Sequence, residues 1–300
     1  MSDNEARWIQ SAESLEWSRH IRFRPEMRPI LLNYFGLAPG MEVLEVGCGP
    51  DTMASYLAEG INPGHVIGLD LDEEFIHRAR TKAEEKSVSN VSFVVGDAYQ
   101  LPFKNEAFDA VISYTGMGIL STPEVAVKEM LRVCRSRGTM SIAEAVTGRF
   151  GINFPGIDSI TDEEPFPGAK RYYEVIERIQ HAASIAPISG VGSKSWPPQA
   201  MLALLGKLGI TKIRFNAWGY GLAPDDERVN AERQQFRQTW YRLQREWLEG
   251  LGDSYQPNIS HEELTEAINL ADAHFNWLTK NAAYDWEAGV SVIASGIKET

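Results

Sequence analysis

The stretch Val43-Leu-Glu-Val-Gly-Cys-Gly49 constrains this chain more than any other. A short apolar run carries an acid and ends in two glycines one residue apart. Pro50 and Asp51 follow, and Thr52 to Glu59 read as a helix stopped at Gly60. The order is strand, tight turn, helix. Gly47 and Gly49 lack the Cβ that would keep a ligand away from the backbone at such a turn.

Taken alone, a glycine turn after a strand serves nicotinamide, flavin and other nucleoside cofactors alike. The following segments narrow the reading. Val66-Ile-Gly-Leu-Asp70 is a second apolar run ending in an acid, 21 residues after Gly49. A carboxylate there can accept both hydroxyls of a ribose. A third run, Val91–Val95, leads into Gly96-Asp97-Ala98 and Leu101-Pro-Phe103, and a fourth spans Phe108–Ser113. Asp72 is placed to cap the next helix, with Glu73 and Glu74 in its positive first turn. Thr122-Pro123-Glu124 opens another helix, and residues 139–145 read as a fifth strand. Strands alternating with helices over 41–145 imply a parallel sheet with right-handed crossovers.

At 300 residues the chain is longer than most single domains, so a core with additions is expected. Its 43% hydrophobic and 23% charged residues are those of a soluble globular protein. No apolar run approaches the roughly 20 residues of a membrane span, and Met1–Arg7 lacks the features of a signal peptide. The net charge of −12 argues against an extended nucleic-acid partner. Arg19, Arg22, Arg24 and Arg28 read as a solvated helix face. Cys48 and Cys134 fall in core elements and suggest neither a disulfide framework nor a metal site, which fits the cytoplasm.

Beyond 145 the pattern breaks. Residues 146–170 read as loop. Tyr172, Ile176, Ile179 and Ala183 have helical spacing, and a second loop leads to Trp196-Pro-Pro198. A helix over 198–208 ends at Gly209, and Ile213, Phe215 and Ala217 alternate with polar residues as in a half-buried strand. Two long helices follow, striped by Phe236, Trp240, Leu243 and Trp247 and by Leu264, Ile268, Ala271, Phe275 and Leu278. Ser260 and Glu263 form a capping box for the second. Val290–Gly296 closes the chain as a strand. Six of the eight tryptophans lie beyond residue 195. Aromatic side chains there serve either as the additions' own core or as a cap over an apolar or aromatic small molecule.

The motifs over 43–113, in this order and spacing, resemble the class I S-adenosylmethionine-dependent methyltransferases, most of all the ubiquinone/menaquinone-type small-molecule branch. The resemblance runs from about residue 25 to 145, with weaker echoes at 197–222 and 285–298. It implies an α/β Rossmann-like fold, a mostly parallel seven-stranded sheet with an antiparallel last strand, plus helical insertions. The expected organisation is an N-terminal helical lid segment over 1–40 and a cofactor-binding core over 41–145. A first insertion (146–196), continued core (197–222), a helical insertion (223–284) and a final core strand (285–300) follow. Both insertions are expected to act as a substrate cap.

The implied function is methyl transfer from S-adenosylmethionine to a small apolar or aromatic molecule. The implied cofactor residues are Glu45, Gly47, Cys48 and Gly49 for the methionine part, Asp70 for the ribose and Leu71 for the adenine face. Asp97 and the Ala98 amide are implied for the adenine edge, and Ser113 and Tyr114 for the sulfonium side. Glu144, His181 and Tyr114 are the catalytic candidates, with His20 and His274 as further possibilities. Asp51 stands where the family usually has a third glycine, either capping the next helix or placing charge near the methionine carboxylate. Gly118 and Ile119 stand where many relatives carry histidines. Cys134-Arg-Ser-Arg-Gly138 replaces a lysine-proline-glycine-glycine surface turn. Two other readings share the glycine turn: a protein that binds the cofactor without methylating, and a nicotinamide-dependent oxidoreductase.

Overall fold

The computed structural model describes residues 22–50, 53–145, 198–222, 230–253, 258–281 and 287–299. It also describes Glu16, Arg19 and positions 168, 171, 172, 174–176, 178, 179 and 182. Two compact units result. The first comprises Met1–Val146, Ser189–Tyr220 and Gly289–Thr300; the second comprises Thr147–Ile188 and Gly221–Ala288.

The first unit is built on seven strands: β1 (Glu42–Val46), β2 (His65–Asp70), β3 (Val91–Val95), β4 (Phe108–Tyr114), β5 (Cys134–Ala145), β6 (Ile210–Leu222) and β7 (Glu287–Lys298). Their order is β3-β2-β1-β4-β5-β7-β6. The first five pair in parallel. β7 runs antiparallel to β5, with Ala145 opposite Ser291 and Thr139 opposite Ile297. β5 therefore ends, and β7 begins, at the carboxyl edge of the parallel strands.

The helices of this unit are α1 (Arg28–Phe35), α2 (Met53–Ile61), α3 (Glu73–Glu85), α4 (Pro123–Val133) and α5 (Pro198–Lys207). Strand residues alternate between two apolar layers. Val43, Ala110, Ile112 and Tyr114 share one core with Leu31 and Phe35 of α1, Leu57 of α2 and Ile76 of α3. Leu44, Val46, Val111 and Ile142 share the other with Val127 and Met130 of α4 and Leu205 of α5. Burial on both faces is why the central strands read as continuous apolar runs rather than alternating ones. Asp72 caps α3 by accepting from the Glu74 and Phe75 amides at 2.8 and 3.3 Å, and Pro123 occupies the first turn of α4.

Two strands differ from expectation. β5 starts at Cys134 rather than Thr139: Cys134 pairs with Phe108, and a register shift then brings Thr139 opposite Ala110. Arg137 takes a positive φ of 62° within this irregularity. Gly138 is required by space, because a Cβ would lie 2.8 Å from Cys134 Sγ and 2.9 Å from the Asp109 carbonyl oxygen. In β6, Phe215 is 45% exposed while Trp218 is buried. Ile213 is half-buried as expected, and the exposed pair Arg214 and Phe215 marks where the alternation shifts by one residue, turning Asn216 and Trp218 inward.

The arginine-rich segment before α1 is not a solvated face. Arg19 is only 4% exposed, and Arg28 pairs with Glu59 and lies over the Tyr56 ring. Phe23 anchors the segment. Its ring stacks on Trp218 at 5.4 Å and 8° and meets Tyr114 edge-on at 5.2 Å and Tyr56 at 5.4 Å. The Tyr56 hydroxyl then donates to the Arg24 carbonyl at 2.7 Å.

The second unit has its own core. Tyr172, Ile176 and Ile179, from helical residues between 171 and 182, pack with Leu248 of α6 (Asn230–Asp253) and Leu264, Ala267 and Ala271 of α7 (His261–Lys280). Ser260 and Glu263 make the reciprocal capping box of α7. Trp247 and Ile268 of the two sequence stripes pack against this core. The side chains of Phe236, Trp240 and Leu243 lie outside the described residues. Among the described residues no helix is long and apolar enough to cross a membrane.

Because Phe23 is buried among three aromatic rings, Phe23→Ala is expected to lower stability by about 3 kcal/mol. Urea unfolding of the two proteins checks this, and a change under ~0.5 kcal/mol would mean the segment is not anchored through Phe23.

Candidate functional site

Strand connections run one way through β1, β2 and β3 and the other way through β4 and β5, so the chain reverses direction between β1 and β4. In open α/β sheets, ligands bind outside the carboxyl ends of the strands at that reversal. Here the loops after β1 and β4 meet there. Gly47 and Gly49 take φ of 75° and 63°. A Cβ on Gly116 would lie 2.9 Å from Ser113 Oγ and 3.6 Å from Gly47 Cα. The two loops would be in ordinary van der Waals contact there, and the tight neighbour of Gly116 is Ser113 of its own loop.

The turn is tied to β2. The Gly47 and Cys48 amides donate to the Leu69 carbonyl at 2.8 and 3.0 Å, and the Gly49 amide donates to Asp70 Oδ2 at 2.8 Å. Asp70 Oδ1 accepts from the Asp72 amide at 3.0 Å. A carboxylate offers about four acceptor positions, so two amide bonds leave capacity for two vicinal hydroxyls. Burial pushes the Asp70 carboxyl up, opposed by the Asp72 and Gly49 amides and by the nearby Arg19 charge. Leu71, the next residue, is 66% exposed, an apolar surface that a flat ring would cover. On the loop after β3, Asp97 uses Oδ1 to accept from the Tyr99 amide at 2.8 Å. The neighbouring Leu101–Phe103 segment is held from α4. Glu129 accepts from the Leu101 amide at 2.9 Å, while Arg132 donates to the Leu101 and Phe103 carbonyls at 2.9 and 2.8 Å. The Asp97 loop after β3, the Asp70 carboxylate at β2 and the glycine turns after β1 and β4 thus lie along one edge of the sheet. An adenosyl amino acid fits that order.

Residues 43–138 match the family model described as a methyltransferase domain. The demethylmenaquinone methyltransferase of Listeria welshimeri is 32% identical over 130 residues, 42% of this chain and 52% of that protein. Its counterpart in Lactococcus lactis is 34% identical over 108 residues, 35% of this chain and 42% of that protein. The chain spans about half the length of the curated relatives it matches. Among solved structures, the YcgJ protein of Bacillus subtilis superposes with a TM-score of 0.51 at 18% identity, covering 92% of this chain and 100% of that one. The cyclase SpnF gives 0.50 at 20% identity over 92% of this chain and 82% of its own. At those identities the likeness is one of fold.

Over residues 43–138 the chain is similar to a methyltransferase domain. Within this stretch, Glu45, Gly47, Cys48, Gly49, Asp70, Leu71, Asp97 and Ala98 are all brought to the carboxyl edge of β1, β2 and β3. Glu45 is fully buried at the end of β1, and Ser113 is fully buried at the end of β4. The Ser113 hydroxyl finds no hydrogen-bond partner among the described residues. Tyr114 is fully buried in the core layer, its hydroxyl 3.1 Å from Ser291 Oγ. Its ring supports the site from beneath instead of presenting an open edge.

Of the catalytic candidates, Glu144 is the one the structure brings to this edge besides Tyr114. His274 belongs to the second unit, 4.7 Å from the Tyr172 ring, and burial pushes its imidazole down. Asp51, His20 and His181 lie outside the described residues, as do Trp8 and Trp17. Arg19 is the site residue that a sequence reading passes over. Its Nη1 donates to the Cys48 carbonyl at 3.0 Å, and its Nη2 lies 3.5 Å from Thr115 Oγ1. The signal was present in Phe23: its amide donates to the Arg19 carbonyl at 2.9 Å, so a buried Phe23 draws Arg19 inward with it.

Glu144 Oε1 accepts from the Met117 and Gly118 amides at 3.1 and 3.0 Å, compensating the start of the short 3-10 turn Met117–Ile119. Burial raises its carboxyl from 4.5 to about 7, against those two amides. The folded protein therefore keeps a proton that the unfolded chain releases first. Stability from this group is full below pH 4.5 and falls as pH rises to about 7. The swing is about 3 kcal/mol. Glu144→Gln keeps the accepting oxygen and is expected to flatten this fall, measured by urea unfolding at intervals between pH 5 and 8. An unchanged pH profile would show that another group carries it.

Proposed function

We propose that this protein transfers a methyl group from S-adenosylmethionine to a small apolar or aromatic molecule. The observation that carries the reading is the line of groups along β3, β2, β1 and β4 that matches adenine, ribose and amino-acid tail in turn. The cofactor supplies a methyl group made electrophilic by its sulfonium. The chain's residues bind and align.

Asp70 accepts the ribose hydroxyls, Leu71 covers one face of the adenine, and Asp97 with the Ala98 amide reads its edge. Glu45 attracts the ammonium of the amino-acid tail, while the Gly47–Gly49 backbone admits that tail closely. Alignment and exclusion of water account for much of such an acceleration, about 7–11 kcal/mol in favourable intramolecular cases. An acceptor that must lose a proton would use Glu144, since Gly118 and Ile119 offer no base. The acceptor class rests on the related demethylmenaquinone methyltransferases, named for an aromatic, apolar substrate. We assign the acceptor's surroundings to residues 146–196 and 223–284, whose aromatic content exceeds that of the core.

Calorimetric titration tests the reading. Micromolar binding of S-adenosylmethionine and S-adenosylhomocysteine, with none of NADH, is the expected result, together with methylation of a hydroquinone or phenol panel. Asp70→Ala is expected to weaken cofactor binding by about 100-fold through loss of charge-assisted hydrogen bonds. Wild-type affinity in that variant would remove Asp70 from the ribose site. Binding without methylation of any acceptor would favour a cofactor-binding role without transfer, and NADH binding alone would overturn the cofactor assignment.

A further inference from the structure

We propose that Arg19 binds the carboxylate of the cofactor's amino-acid tail, so that the N-terminal segment completes the cofactor site. This rests on the S-adenosylmethionine reading above. Two independent observations support it.

The first is a buried cation that feels the Asp70 carboxylate nearby but makes no ion pair among the described residues. Arg19 is 4% exposed. Its guanidinium donates to one carbonyl oxygen, that of Cys48, and lies near the Thr115 hydroxyl. Its centre sits 5.9 Å from the Tyr114 ring centroid. Among the described residues no carboxylate lies within ion-pair distance of it. A charge taken out of water without a paired anion is strongly unfavourable. A guanidinium carries five N–H donors in a fork that matches a carboxylate, and most of that capacity is unspent here.

The second is position. The Arg19 Nη1 nitrogen is 3.0 Å from where a Cβ on Gly49 would sit. It therefore faces the glycine turn itself, between the loops that follow β1 and β4. That is the end of the line opposite the adenine loop at Asp97, where the tail of an adenosyl amino acid arrives. Glu45 is buried on β1 just below. Arg19 for the carboxylate and Glu45 for the ammonium together match a zwitterion. The guanidinium is also held in place. The Phe23 and Arg22 amides donate to the Arg19 carbonyl at 2.9 and 3.0 Å, and Phe23 is locked among Tyr56, Tyr114 and Trp218.

The test separates the tail from the nucleoside. S-adenosylhomocysteine and 5′-methylthioadenosine share the adenosine and sulfur, but the second lacks the carboxylate and ammonium. Both are titrated into the wild type, Arg19→Gln and Arg19→Lys, with thermal unfolding confirming that each variant is folded. Arg19→Gln is expected to weaken S-adenosylhomocysteine by about 30-fold or more while changing methylthioadenosine by less than about threefold. Arg19→Lys is expected to recover part of the loss, because it keeps the charge without the fork. Equal weakening of both ligands would show that Arg19 only supports the loops, and unchanged binding of both would show that it takes no part. Either overturns the proposal while leaving the cofactor reading intact. Failure of the wild type to bind either nucleoside would overturn both.

Discussion

The end of β2 and the turn after β1 are fastened by three backbone amides, two on the Leu69 carbonyl and one on the Asp70 carboxylate. The site depends on that fastening. It sets the left-handed turn at Gly47 and Gly49, which in turn leaves the space that the β4 loop enters at Gly116. Asp70 thus works in two directions at once: its side chain shapes the turn and keeps acceptor capacity pointing outward. Burial pushes its carboxyl up, and the same amides that fix its orientation offset part of that shift.

A concentration of buried polar groups marks the carboxyl edge. Glu45, Ser113, Glu144 and Arg19 are all buried there. Elsewhere in the sheet the buried positions are mostly Val, Leu, Ile and Ala, with neutral hydroxyls at Thr139, Ser141 and Ser295. Placing ionisable groups in a low-dielectric layer lowers stability unless each finds a partner. Glu144 finds two amides and still titrates near neutrality. A core of apolar side chains would be more stable and would bind nothing, and this edge departs from it wherever a polar ligand is expected.

Much of the fold was legible because its signals are local. The glycine turn, the Asp72 cap, the proline opening α4 and the Ser260–Glu263 box each rest on residues within a few positions of one another. The misses arose from backbone irregularities and long-range packing. Arg137 adopts positive φ without being glycine, so nothing in its identity announced the early start of β5, and the shift of alternation at Arg214 and Phe215 in β6 has no local residue signal either. Arg19 was hidden for a different reason. A run of four arginines in a polar segment has the composition of a solvated face, and the partners that bury it, Cys48, Tyr114 and Thr115, lie about 30 to 100 positions away.

The matched family segment ends at residue 138, within β5, while the sheet itself continues through β7 and β6. That boundary has a physical basis. Adenine, ribose and amino-acid tail are the same in every enzyme that uses this cofactor, so the residues that meet them recur at fixed spacing along β1 to β4. An acceptor imposes no such repetition. The second unit builds an independent core around Tyr172, Ile179, Leu248 and Leu264, and its surface is free to vary without disturbing the turn at Gly47. In the proposed reading, the groups that hold the cofactor stay under the constraint of the sheet edge, and the choice of acceptor falls to residues the sheet does not constrain.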